Sequence, residues 1–252
     1  MPRVARKDIN SKYIHVIVQG INKEKIFEKD IYVRKYLKQI KSKNIECDNI
    51  KILAYCIMNN HAHFLIFAQE IKELSKFMQK VNCSYSNFYN KINNRVGFVF
   101  RNRYYTQEIL DQYQLYTCLK YIHNNPVKAG ITKYPKDYNY SSYLEFLQEA
   151  KIINKDSYKL LFGECEDYKK IFLSIHNNDD YEYKIFDIKD ESFEDFYKRF
   201  EQENKIKICE IKNNKGILEK FVKESRDRTE VKIEELAEKI GVSKSLIGRL
   251  LK

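Results

Sequence analysis

Two apolar runs, IKILAYCIM at 50–58 and HAHFLIFA at 61–68, are separated by only Asn59 and Asn60. Runs of this length and composition joined by two asparagines read as a β-hairpin. The β-branched run YIHVIVQ at 13–19, ended by Gly20, reads as an earlier strand. Between them, Ile31, Val33, Tyr36, Leu37 and Ile40 recur at helical spacing, which predicts a helix from Asp30 to about Lys43. Leu74, Phe77, Met78, Val81, Tyr85 and Phe88 predict a long second helix from Lys72 to about Lys91. The basic, aromatic run GFVFRNRYYTQEI at 97–109 reads as a fourth strand. Asp111 caps a third helix to about Asn124, expected to stop before Pro126. The order strand, helix, strand, strand, helix, strand, helix predicts an α+β domain, a ferredoxin-like antiparallel sheet with packed helices. An α-helical C-terminal region should follow. The expected organisation is a first domain over 1–150, a helical connector over 151–213 and a terminal helical segment over 214–252. A polar, acidic patch, HNNDDYEY at 176–183, reads as a linker.

Charge separates these regions. The formal net charge is +11, and residues 1–150 hold 24 Lys+Arg against 13 Asp+Glu, whereas residues 151–252 hold 22 of each. A basic domain beside a neutral one fits a polyanion bound by the first; the plainer alternative is a solvated lysine-rich surface. With 43% hydrophobic residues and 14% aromatic, the chain has the material for a core, and disordered or low-complexity classes are excluded. The six cysteines contain no CxxC pair, and the start, MPRVARKDIN, has no apolar signal segment. Reduced thiols in a cytoplasmic protein are the expectation. No apolar run approaches the roughly 18 residues of a membrane span, so no membrane partner is expected.

Three features carry chemistry. His61 and His63 are two apart in a strand, so their imidazoles should share one face and could hold one ion. Two ordinary strand histidines would look the same. Imidazoles suit Mn, Fe, Zn, Ni or Cu better than Mg, and a third ligand must come from elsewhere. On the helix after Asp111, Tyr121 and Asn125 are four apart and lie on one face, where a phenol and an amide oxygen could meet the same phosphate. His123 is read as structural. RVGFVFRNRYY at 95–105 joins three Arg to aromatic rings, which suits unpaired nucleic acid; Arg101, Arg103 and Lys128 are the expected contacts. The alternative is a solvated basic strand with Phe98 and Phe100 in the core. At the C-terminus, Ala237, Gly241, Val242 and Ile247 fall at helix-turn-helix spacings, with Ser243 capping the second helix and an earlier helix near Gly216–Ser225. Lys244, Ser245 and Arg249 would face DNA; a protein-binding or purely structural hairpin is the other reading.

Taken in order, ILAYCIMNNHAHFLIFA, GFVFRNRYY, YIHNNPVKAG and YNYSSY resemble the single-tyrosine HUH transposases, in particular the REP-associated tyrosine transposases. The resemblance covers about residues 1–145. It implies a ferredoxin-like domain that cuts single-stranded DNA bearing a hairpin. His61 and His63 match the family's histidine pair, Tyr121 its nucleophile, and Asn125 its further metal ligand. The implied cofactor is a divalent metal ion, Mg²⁺ or Mn²⁺, and the implied product a 5′-phosphotyrosine link with a free 3′-OH. No P-loop pattern is present, in keeping with chemistry that uses no ATP. One tyrosine per chain fits a homodimer that cuts two sites. The chain departs from the family where proline is expected before Asn60, having Asn59 instead. Two other functions share the scaffold: a non-catalytic DNA-binding regulator and a replication or relaxase nuclease.

Overall fold

In the computed structural model, residues 9–101, 103–178, 193–229 and 231–251 are described. The start MPRVARK and positions 179–183 of the expected linker lie outside the described residues. Four strands, β1 (Tyr13–Gln19), β2 (Ile50–Ile57), β3 (His61–Ala68) and β4 (Tyr105–Ile109), form one antiparallel sheet in the order β2-β3-β1-β4. The hairpin forms as the two asparagines dictate. Met58 donates its N–H to the His61 carbonyl at 2.8 Å. The carbonyls of Asn59 and Asn60 accept from Phe27 and Gly20, both at 2.8 Å, so the turn is pinned to the segment after β1.

Directly opposed residues share a face of a sheet. His61 pairs with Gln19, His63 with Ile17, and His15 with Gln107. One face therefore carries His15, Ile17, Gln19, His61 and His63. The other carries Ile14, Val16, Val18, Phe64 and Ile66, all buried. Helices α1 (Asp30–Ile45) and α2 (Ile71–Ile92) cover that second face. Most of each expected stripe is buried, Val33, Tyr36 and Ile40 on α1 and Leu74, Phe77, Met78, Val81 and Tyr85 on α2, but Ile31 is exposed and Tyr32 takes the core position, and Tyr89 is buried where Phe88 is only half-buried. Tyr36, Tyr85, Phe27 and Phe100 pack into one aromatic cluster there.

Helix α3 (Gln112–Lys128) crosses the histidine face, followed by α4 (Lys155–Phe162) and α5 (Tyr168–Asn177). Asp111 caps α3 as expected, accepting the Gln114 N–H at 2.7 Å. Two expectations are corrected. First, α3 does not stop before Pro126 but runs two residues past it. Proline removes the N–H that Ile122 would receive. The Asn125 side chain lies beside the gap, its Nδ2 donating to the Tyr121 carbonyl at 2.9 Å and reaching the Ile122 carbonyl at 3.5 Å. Second, the strand expected over 97–109 is regular only from Tyr105. Upstream, Gly97 takes φ +102 and the chain touches the sheet through a single Gly20–Phe100 bridge. Phe100 is buried but Phe98 is 81% exposed, so the two rings do not share a core role.

The chain divides into two compact units, 1–184 and 185–252, which places α4 and α5 with the sheet. The second unit contains α6 (Phe193–Asn204), α7 (Lys215–Arg228), α8 (Ile233–Ile240) and α9 (Lys244–Leu250) around Phe196, Phe200, Phe221 and Ile211. Gly241 takes the left-handed conformation that ends α8, and Ser243 caps α9 by accepting the Leu246 N–H. Among the described residues no helix is long and apolar enough to cross a membrane.

Candidate active site

The alternation of β3 puts both imidazoles of its HAH run on the face under α3. The ring centroids of His61 and His63 are 4.9 Å apart. Tyr121, projecting from α3, stands edge-on to His63 with centroids 5.6 Å apart. Two stretches separated by nearly sixty residues of sequence thus converge within one chain. Asn125 is one helical turn beyond Tyr121 on the same face of α3 and is largely buried. Lys128, a further turn on, holds its ammonium 4.7 Å from the Tyr121 ring centroid. This places Lys128 against the phenol as well as at the surface.

Sequence reasoning missed His15. It stacks on His63 with ring centroids 5.3 Å apart and 15° between planes, and lies 6.1 Å from the Tyr121 ring. Its Nε2 is 3.1 Å from His63 Nδ1. The only signal in the chain was a lone imidazole inside the apolar run YIHVIVQ. Which partners it meets depends on the β1–β3 register, and residue spacing does not give that.

Burial sets the protonation of all three rings. Desolvation pushes His15 down to about 3 and His61 down to about 4. His63 is held well below the usual imidazole range, by desolvation first and then by its neighbours His61 and His15. At neutral pH the cluster is uncharged, so each ring has one nitrogen with a lone pair, and one of these is spent in the His15–His63 contact.

The donor atoms fit a divalent cation. His61 Nδ1 lies 2.6 Å from Asn60 Oδ1, which can only accept, so His61 carries its proton on Nδ1 and offers Nε2. His63 meets His15 through Nδ1, so Nε2 is the His63 nitrogen outside that contact. Asn125 spends its Nδ2 on helix carbonyls, which leaves Oδ1. Among the described residues no group of three His, Cys, Asp or Glu could hold a metal. A third protein donor would come from another residue type, and Asn125, on the same helix as Tyr121, is the candidate the sequence offers.

The remaining expected residues are at the surface. The Arg101 backbone N–H donates to the Gln19 carbonyl at 2.7 Å, and Gln19 pairs with His61, so Arg101 is two ladder positions from the histidines. Arg103 is exposed. In the other unit Lys244, Ser245 and Arg249 are all exposed on α9, Lys244 lying 3.4 Å from Glu234 and Ser245 bonded to Ser243.

Residues 8–125 match the family described as transposase IS200-like. A solved structure described as a REP-associated tyrosine transposase bound to a REP hairpin is similar at 15% identity, over 62% of this chain and 96% of that one, with a TM-score of 0.49. No curated protein matches the chain at a significant level.

Proposed function

Because residues 8–125 match the IS200-like transposase family, we propose that this chain is a transposase that cuts and rejoins single-stranded DNA through a covalent link to Tyr121. The observation that carries this reading is the approach of the Tyr121 ring to within 5.6 Å of His63 beside a second imidazole.

In the proposed reaction the Tyr121 hydroxyl attacks the scissile phosphorus in line. The bond from phosphorus to the 3′-oxygen breaks, a 5′-phosphotyrosine forms, and the proton lost by the phenol is balanced by one gained at the departing 3′-OH. The reverse attack by another 3′-OH joins strands, and the bond energy is conserved throughout. His61, His63 and Asn125 would hold a divalent cation, Mg²⁺ or Mn²⁺, which when bound withdraws charge from the phosphate oxygens. A free phenol ionises only near pH ~10. The Lys128 ammonium over the Tyr121 ring favours the phenolate that develops during attack.

The substrate we propose is a hairpin-bearing single strand. The exposed Phe98 ring, with Arg101 and Arg103 following it, offers an unpaired base a stacking surface and its phosphates a counter-charge. Lys244, Ser245 and Arg249 on α9 form a second DNA contact in the manner of a helix-turn-helix, and a homodimer would supply two tyrosines for two cuts.

The test is a denaturing gel with 3′-end-labelled hairpin DNA and Mn²⁺ or Mg²⁺. The expected result is a labelled protein adduct that chelation and Tyr121→Phe both abolish. Tight DNA binding without any adduct would replace this reading with a non-catalytic regulator.

A further inference from the structure

Val96 and Phe98 are the two most exposed large apolar side chains among the described residues, at 94% and 81%. Both line one cavity of about 540 Å³, together with Ile21, Asn22, Glu24 and Arg95. That volume falls in the ~300–1,000 Å³ range of small-ligand sites. One wall is the segment after β1 and the other the loop between α2 and β4.

Both walls are fixed by hydrogen bonds. The Arg95 N–H donates to the Asn90 carbonyl at 3.0 Å, the Asn90 side chain donates to the Gly97 carbonyl at 2.9 Å, and the Ile21 N–H donates to the Val99 carbonyl at 2.9 Å. Phe98 is thus exposed on a backbone that has little ordering left to do when a ligand arrives. In the opposite wall Asn22 and Lys23 take the left-handed conformation, φ +51 and +59, which costs energy and collects at functional sites. A Cβ on Gly20 would strike the Glu24 carbonyl oxygen, so glycine lets this segment fold back on itself. Arg95 joins the two walls, its Nη1 lying 2.5 Å from both carboxylate oxygens of Glu24. The pair sets donors and acceptors side by side beside apolar faces. A flat ring with a polar edge matches both, whereas an apolar protein segment would strip water from the charges without replacing it. The Gly20 N–H donates to the Asn60 carbonyl at 2.8 Å, so this wall is tied to the turn that carries His61.

We propose that the cavity holds one unpaired base of the DNA strand, stacked on Phe98 and Val96, with its polar edge read by the Glu24–Arg95 pair. This rests on the DNA-cutting reading above and gives one base of that strand its place. Arg101 and Arg103, further along the same loop, are then left to the phosphates.

The test uses the full chain with EDTA present, so that binding is read apart from cleavage. The probes are fluorescent abasic deoxyribose-phosphate strands carrying a single dA, dC, dG or dT at the centre, and one strand carrying no base. Wild type should bind its preferred base-bearing strand roughly 5- to 100-fold more tightly than the bare strand, the range of one base–aromatic stack. Phe98→Ala, at an exposed side chain, should bring that ratio to within about twofold of one. Glu24→Gln should change the order of preference among the four bases. Equal binding of all strands by wild type, or a preference that survives Phe98→Ala, overturns the inference alone. An order unchanged in Glu24→Gln overturns the edge reading by the charge pair. Self-association lost in Phe98→Ala, with all strands bound equally, gives the patch to a second copy of the chain and also overturns the inference. A wild type that binds neither these strands nor hairpin DNA overturns the DNA-cutting reading, and the base site with it.

Discussion

The first unit holds two groups of histidines on either side of α3, and they are built to opposite ends. Under one side lie His15, His61 and His63 beside Tyr121. On the other, His123 is closed at both nitrogens. Its Nδ1 lies 2.9 Å from His176 Nε2 and its Nε2 2.8 Å from Ser142 Oγ. His176 in turn donates from Nδ1 to the Phe172 carbonyl at 2.8 Å. Since that carbonyl can only accept, every proton in the chain is fixed: His176 accepts from His123, and His123 accepts from Ser142. Nothing remains for a ligand, and Phe146, Phe172 and Tyr143 seal the group. On the Tyr121 side, His61 and His63 each show this device at Nδ1. Equal burial therefore does not mean equal use. What separates a structural histidine from a candidate ligand is whether its second nitrogen is already spent.

The comparison is tested most severely by removing one imidazole from each side. His63→Ala should lower adduct formation by about 10³-fold, the order expected when several kcal/mol of charge stabilisation at a phosphate is lost. It should leave the melting temperature within a few degrees of wild type, read by differential scanning calorimetry. His123→Leu should do the reverse. It leaves His176 Nε2 without its donor, while Ser142 Oγ keeps the Tyr55 N–H and carbonyl, and a cost of roughly 1–3 kcal/mol in urea unfolding is expected. The rate of adduct formation per folded molecule should stay within about twofold of wild type. A His123 variant that folds normally but no longer cleaves would erase the distinction drawn above.

Acid should act on both groups together. Unfolded histidines bind protons near pH ~6.5. Here burial pushes His15 down to about 3 and His61 and His176 down to about 4, and it holds His123 well below its usual range. Between pH ~6.5 and about 4 the unfolded state therefore binds more protons than the folded one, and stability falls as pH falls through that window. Above pH ~6.5 these groups add no further slope. Urea midpoints measured from pH 7.5 to 4.5 should decline below about 6.5. Replacing His123 and His176 together by Leu should remove a substantial part of the slope; an unchanged slope would place it all on the Tyr121 side.

The hairpin and the two stripes of α1 and α2 were legible because each is a local pattern: two asparagines between apolar runs, or apolar residues at i, i+3 and i+4. The shared face of His61 and His63 follows from strand alternation for the same reason. The approach of Tyr121 to them depends on where α3 crosses the sheet, a long-range fact that only family resemblance brought within reach of the sequence. His15 was illegible because its meaning lies in register with β3 and β4. Pro126 misled for a different reason. A general rule about proline stops the helix there, whereas the Asn125 side chain covers the carbonyl that the rule counts as lost. The run over 97–104 looked like part of a basic, aromatic strand, yet Gly97 turns the chain so that Phe98 faces solvent and Phe100 the core.

The smallest expected effect sharpens the comparison furthest, because it separates two roles of one residue. Lys128 is exposed and was expected to touch DNA, and its ammonium also lies over the Tyr121 ring. An exposed cation–π contact is worth about 0.5–1 kcal/mol, and it strengthens as the ring gains negative charge during attack. Lys128→Met keeps the stem and removes the charge. If the ammonium serves the phenol, single-turnover cleavage at saturating DNA should slow by roughly two- to fivefold, and less so in high salt. If it serves only as a phosphate contact, the saturated rate should be unchanged, affinity should fall, and the salt slope of binding should drop by about one. On the sealed side the cation Lys120 acts on His176 and disfavours its protonation, rather than on a phenol. Only the first outcome would extend the difference between the two sides from their hydrogen bonds to their charge.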